Sequence, residues 1–237
     1  MCGGGKKSFV WGCFIGALFF VMGCSEPEKE AVQQFLIKTP AMIITRSNFL
    51  EELDLKRAAY PYNIHENPAE YNEMVIHLIK MLSEEIVLLS AASHKGVTVT
   101  TQELELAEQE FKKDYPENSF DQVLLKNAIS YPFWKKRFRK NMIMDKFIDL
   151  ELKKKIVITS EDIVEFYKKH RIADAKDMGG NALVLKKIEN EKELVSRLRN
   201  QKAEDNYDEW MQQLGNEYPV EINKEELKKF LIDIEKK

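Results

Sequence analysis

Apolar positions along the chain fall into two alternating patterns, short extended stubs and longer stretches of helical period. Four segments share one layout: MIITRSNF (42–49), VTVTTQEL (97–104), IVITSEDI (156–163) and VEINKEEL (220–227). In each, apolar residues flank one position and a cap-type residue follows: Thr45, Thr100, Thr159 or Asn223. Three residues on stand Asn48, Glu103, Asp162 and Glu226, where a side chain can reach back to the cap's N–H, the amide Asn48 least effectively. The pattern predicts four helix starts, each entered from a short extended segment. Spacings of 55, 59 and 64 residues without common internal sequence argue against solenoid repeats.

Between these starts lie further helices. Asn67-Pro68 opens one on which Tyr71, Met74, Val75, Leu78, Leu82, Ile86, Leu89 and Ala92 recur at helical spacing until Gly96, with apolar residues on two sides near the end. Leu104, Ala107, Phe111 and Tyr115 form the next stripe, broken at Pro116 and Asn118, and Ser119 is read as the cap of a short helix over 120–127. Ser130 with Pro132 opens what reads as the longest helix. It directs Trp134, Phe138, Met142, Phe147 or Ile148, and Leu152 to a core, and sets Lys135, Lys136, Arg137, Arg139, Lys140, Lys146 and Lys153 to Lys155 on a solvated face. A helix from Ser160 shows Ile163, Phe166 and Tyr167. A turn at Asp177-Met178-Gly179-Gly180, a strand over 182–188 and helices over 191–199 and 204–214 follow, the last burying Tyr207, Trp210, Met211 and Leu214 and ending at Gly215.

The front of the chain follows a different rule. Lys6 and Lys7 precede an unbroken apolar and small-residue run of 14, Phe9 to Met22, and then Gly23-Cys24. That order of charge, apolar core and small residue is a secretory signal, and the run is short of the roughly 20 residues needed to cross a bilayer. Val21-Met22-Gly23-Cys24 resembles the bacterial lipobox. The resemblance implies cleavage between Gly23 and Cys24 and lipid on the Cys24 sulfur, and it places the protein in the bacterial envelope, facing the periplasm. Ser25 to Glu30 reads as part of a solvated tether over 24–34, and a serine after the lipidated cysteine implies outer-membrane sorting.

Residues 97–170, VTVTTQELELAEQEFKKDYPENSFDQVLLKNAISYPFWKKRFRKNMIMDKFIDLELKKKIVITSEDIVEFYKKH, carry an ordered set of features: a capped helix ending near Tyr-Pro, a short Phe-initiated helix, a long helix bearing Trp and Arg, Ile-x-Ile-Thr, and a helix with Phe-Tyr. This order resembles the N-terminal chaperone domain of the SurA and PrsA group, which handles unfolded exported proteins. Ile43 to Phe49 resembles that family's opening element, and 205–227 its returning C-terminal helix. The resemblance implies a mainly α fold with short extended segments, organised as a leader (1–23), the tether, a chaperone domain (35–171), a connector (172–202) and a C-terminal helical segment (203–237). The family commonly carries a parvulin prolyl isomerase domain between the two parts. Only about 30 residues separate His170 from Lys202, too few to enclose such a core. Residues 182–199 could be its remnant, and the histidine usual at the strand's start falls on Ala182.

Composition narrows the chemistry. Charged residues are 32% and hydrophobic residues 44% of the 237, the balance of a folded soluble body. Net charge is −3, or −5 once Lys6 and Lys7 leave, which does not favour nucleic acid. All three cysteines lie in the first 24 residues, and His65, His77, His94 and His170 are too scattered for an ordinary zinc site. His77 reads as an interhelical hydrogen-bonding residue. Glu84-Glu85 and Glu225-Glu226 are adjacent and therefore point about 100° apart on a helix, unlike a catalytic pair. No enzyme activity, metal or cofactor is expected. The function this implies is a lipid-anchored holdase for extended apolar segments of unfolded secreted or outer-membrane proteins, working without nucleotide. Flexible Met74, Met81, Met142 and Met144 with Phe138 are its candidate peptide contacts. A dedicated assembly partner of one envelope complex is the alternative, and a degenerate prolyl isomerase a second.

Overall fold

The computed structural model describes residues 35–116, 119–166, 168 and 191–233. The leader, Gly23, Cys24, the tether, the glycine turn at 179–180 and the strand expected over 182–188 lie outside the described residues. The fold is mainly helical, with one small sheet. In chain order the elements are β1 (Phe35–Lys38), β2 (Ile43–Thr45), α1 (Arg46–Arg57), α2 (Pro68–His94), α3 (Thr101–Lys112), α4 (Ser119–Lys126), α5 (Tyr131–Glu151), α6 (160–166), α7 (Glu191–Glu217), β3 (Glu221–Ile222) and α8 (Lys224–Lys228).

The capped starts form where the pattern put them. Thr45 and Asn48 close a full capping box on α1, as do Thr100 and Glu103 on α3. Asp162 reaches back to the Thr159 N–H at 2.7 Å. Two of the extended stubs become strands: β2 and β3 flank β1 in the order β2-β1-β3, antiparallel on both sides, with Ile37 opposite Ile44 and Ile222. This changes the fourth start. The Asn223 N–H donates to the Leu36 carbonyl at 2.9 Å, so Glu226 has no cap N–H to receive and pairs with Lys229.

Helix α2 organises the body. Its first half buries Met74, Val75, Leu78, Ile79, Leu82 and Ile86 against Leu36, Ile37, Phe49, Leu53 and Phe230. The second half places Val87, Leu88, Ala91 and Ala92 against Phe147 of α5, Leu214 of α7 and Tyr218 just beyond α7, which is why that end is apolar on two sides. The C-terminus is stitched to the start of the body: Phe49 and Phe230 rings meet edge to face at 4.7 Å, and the Asn72 amide bonds both backbone groups of Ile232 at 2.8 Å. Truncating a side chain as enclosed as Leu82 to Ala would cost about 2–5 kcal/mol.

Several expectations are corrected here. The helices expected over 191–199 and 204–214 are one helix of 27 residues, and the boundary drawn at 202 falls inside it. Good helix formers such as Gln201, Lys202 and Glu204 bridge the gap, and buried Ala203 keeps the inner face. Gly215 lies inside α7 and does not end it; the helix continues far enough to bury Tyr218, whose N–H donates to the Leu214 carbonyl at 2.7 Å. At 27 residues each, α2 and α7 exceed the 21 of α5. Ser119 is already helical, and its hydroxyl donates to the Pro116 carbonyl. His77 is exposed, whereas His94, in the last turn of α2, meets the Tyr218 hydroxyl at 2.7 Å.

Candidate functional site

Along its first half α5 stands off α1 and β2, and the space between them forms a groove. Ser130 caps α5 by accepting the Phe133 N–H, with Pro132 in the first turn. This capped start directs Phe133 toward α1. One hollow of about 560 Å³ lies between Leu55 and Ala58 of α1, Ile129 of the α4–α5 turn, and Pro132 and Phe133 of α5. Two more share lining residues with it. One of about 270 Å³ reaches Met42, Ile44 and Leu89, and one of about 200 Å³ reaches Phe111, Trp134 and Phe138. Phe133 lines all three.

The wall at the α4–α5 turn holds an unusual backbone. The Ile129 N–H donates to the Leu124 carbonyl and the Ala128 N–H to Leu125, a helix-ending motif that places Ala128 at φ +53°. Gly96 ends α2 with the same pair of bonds at φ +69°. Glycine adopts that conformation freely and alanine does not, so the groove wall stores strain on the order of 1 kcal/mol.

Beneath Phe133 the groove rests on ion pairs. Glu52 of α1, 5% exposed, meets the Arg137 guanidinium, and Glu85 of α2 meets Lys140 at 2.5 Å. Lys140 also lies 4.0 Å from Glu52. Burial pushes the Arg137 guanidinium below its ordinary value. At the far end Glu108 accepts hydrogen bonds from Lys112 (2.6 Å) and the Tyr131 hydroxyl (2.5 Å) and pairs with Lys135 (2.9 Å). Burial works to raise its carboxyl, and these bonds outweigh it, holding it at about 2. Glu103 is lowered to about 2, first by the hydrogen bond from Lys146 and then by those from Thr100. Arg139 donates to the Val99 carbonyl at 2.8 Å. The basic residues of α5 are therefore clamps to α1, α2 and α3 as much as a solvated face, because acids on the neighbouring helices stand opposite them. Glu84 is exposed while Glu85 is half-buried, as their angular separation requires.

The anticipated contact residues are dispersed. Met74 is in the core at 1% exposure and offers no surface, and Met81 is 38% exposed on α2. Met142 and Met144 are half-buried, Met144 packing against the core around Phe147. Phe138 lines the groove, stacked on Trp134 with centroids 5.0 Å apart, in an aromatic cluster with Phe111, Phe120, Tyr115 and Tyr131. Sequence reasoning passed over Phe133, Leu55 and Ile129. The usable signal was adjacency: Phe133 and Trp134 sit about 100° apart on α5, so they cannot share a stripe and one must face elsewhere.

Among the described residues no group of three or more histidine or acidic side chains is placed to hold a metal, and no helix is long and apolar enough to cross a membrane. No known protein-family profile matches the chain, and no curated protein matches it.

Proposed function

We propose that the protein is a lipid-anchored holdase of the bacterial envelope, tethered through Cys24 and binding extended apolar segments of unfolded exported or outer-membrane proteins in the groove around Phe133. One observation carries this reading: Phe133 lines three neighbouring hollows, two of which also share Leu55 and Ile129, and charged side chains border them. Such a surface admits side chains of many shapes while its rim keeps the protein soluble. The element order that resembles the SurA and PrsA chaperone domain supports it, as does the lipobox resemblance at Val21 to Cys24.

The energetics suit release without nucleotide. Fully burying one large apolar side chain contributes about 1.5–3 kcal/mol, and ordering an extended chain offsets part of it. A segment seating two such side chains binds weakly and leaves readily. The lipid holds the body at the membrane surface, where each buried methylene contributes about 0.8 kcal/mol. No residue acts on the client covalently in this reading.

The test is suppression of aggregation of two unrelated chemically unfolded proteins by the purified chain, compared with Phe133→Ala. The proposal expects suppression of both, weakened in the variant while its far-ultraviolet circular dichroism stays unchanged. No suppression of either, or capture of a single folded partner alone, overturns it in favour of a dedicated assembly role.

A further inference from the structure

The small sheet ends in two unequal edges. β3, two residues long and carrying Glu221, is blunted by its length and its charge. β2 forms the other edge with three residues, none of them charged or proline, and Ile43 is 58% exposed. Its main-chain bonding follows from the turn before it. The Thr39 N–H donates to the Met42 carbonyl at 2.9 Å, and bonded and non-bonded pairs alternate along an antiparallel ladder. Lys38 and Ile43 therefore form a non-bonded pair, and Ile37 and Ile44 a bonded one. Ile43 thus turns its N–H and its carbonyl away from β1, toward an edge on which no described strand lies. The Thr45 N–H is taken by the Asn48 side chain, which leaves the Ile43 groups as the open donor and acceptor of β2 among the described residues. Ile43 also lines the hollow of about 270 Å³, together with Met42, Ile44, Leu89 and Phe133.

We propose that an extended client segment adds to the sheet as a further strand, pairing with the Ile43 main chain at the β2 edge and lowering alternate side chains into this hollow. This rests on the groove reading proposed above. In an antiparallel pair one residue exchanges both bonds with its opposite, so the open N–H and carbonyl of Ile43 are complemented by the carbonyl and N–H of a single extended residue. A helical segment has no such pair to offer, since its own N–H and carbonyl groups bond to each other. Side chains two apart on the added strand project to the same face, where the hollow receives one of them. Main-chain bonds of this kind are indifferent to client sequence, and the hollow supplies the preference for apolar residues.

The experiment measures fluorescence anisotropy of a labelled peptide of about eight residues, valine or phenylalanine alternating with threonine, against the full chain. Two isomers carry N-methyl groups, one at the odd and one at the even positions. Successive N–H groups of a strand point to opposite edges, so one isomer loses the donors that face β2 and the other loses those that face solvent. The first should bind about tenfold more weakly than the second, which stays close to the parent peptide. Ile43→Pro removes an N–H that β1 does not use, at an edge position where proline is tolerated, and Ile43→Thr keeps that N–H. The proline variant should bind the parent peptide about fivefold more weakly than the threonine variant. The isomer comparison uses the unaltered chain and stands whether or not Ile43→Pro folds. Equal affinity of the two isomers, both retained or both lost, overturns the pairing while binding of the parent peptide leaves the groove reading intact. Equal binding by folded Ile43→Pro and Ile43→Thr overturns the pairing as well. A parent peptide that does not bind overturns both readings. Self-association that Ile43→Pro abolishes, and that excludes peptide, would assign the edge to a second copy and overturn the proposal.

Discussion

Arg137→Met removes the cation that neutralises Glu52 while keeping much of the side chain's volume. Glu52 is 5% exposed, so its carboxylate stays in a poorly hydrated site without its principal partner. Breaking a buried pair from one side costs about 3–5 kcal/mol. Lys140, 4.0 Å from Glu52 but held at 2.5 Å by Glu85, compensates in part, which brings the loss to about 2–3 kcal/mol. For a body of this size that lowers Tm by about 5–10 °C. Adding Glu52→Gln should restore most of it, because the stranded charge is then gone, and a double-mutant cycle should return a coupling of about 2 kcal/mol. Urea titration followed by circular dichroism measures all four proteins. If Arg137→Met were as stable as the parent, or if the double variant fell by the sum of the two single losses, the ion pair would not be the clamp between α1 and α5 described above.

The remaining predictions concern pH and backbone. Glu103 and Glu108 are held at about 2 in the folded chain, below the ordinary glutamate value, so their contribution is present above the unfolded pKa near 4.5 and is lost as pH falls toward 2. Stability should decline across that window, and Glu108→Gln should flatten the decline in acid-titration melts. Alanine at Gly215, inside α7 with open space around the added carbon, should stabilise by about 0.5–1 kcal/mol. The same substitution at Gly96, at φ +69°, should destabilise by about 1 kcal/mol, and Ala128→Gly should stabilise by several tenths. Denaturant midpoints check all three signs.

Helix starts were legible because caps are local chemistry. Thr45, Thr100 and Thr159 each find their partner three residues on, and even the amide of Asn48 closes its box. Asn223 likewise caps α8 by accepting the Glu226 N–H, but the return bond from Glu226 is missing because the Leu36 carbonyl takes the Asn223 N–H, a pairing across 187 residues that no local pattern reports. β1 itself, four residues long, has too little alternation to announce a strand and gains its identity from β2 and β3. Gly215 was read as a terminus because glycine usually ends helices, whereas burial of Tyr218 carries α7 past it. At the site, Phe138 was recognised and Phe133 was not. The first belongs to a clear stripe with Trp134, while the second matters only because α1 and the α4–α5 turn stand opposite it. The clamping role of Arg137 and Lys140 was likewise hidden, since their partners come from α1 and α2.

Site-specific photocrosslinking to an unfolded client tests the groove most directly. A photoreactive phenylalanine at position 133 should capture client, and one at Tyr62, which is 95% exposed and lines none of the described hollows, should not. Equal capture at both positions, or capture at Tyr62 alone, would contradict the assignment of the groove as the binding surface.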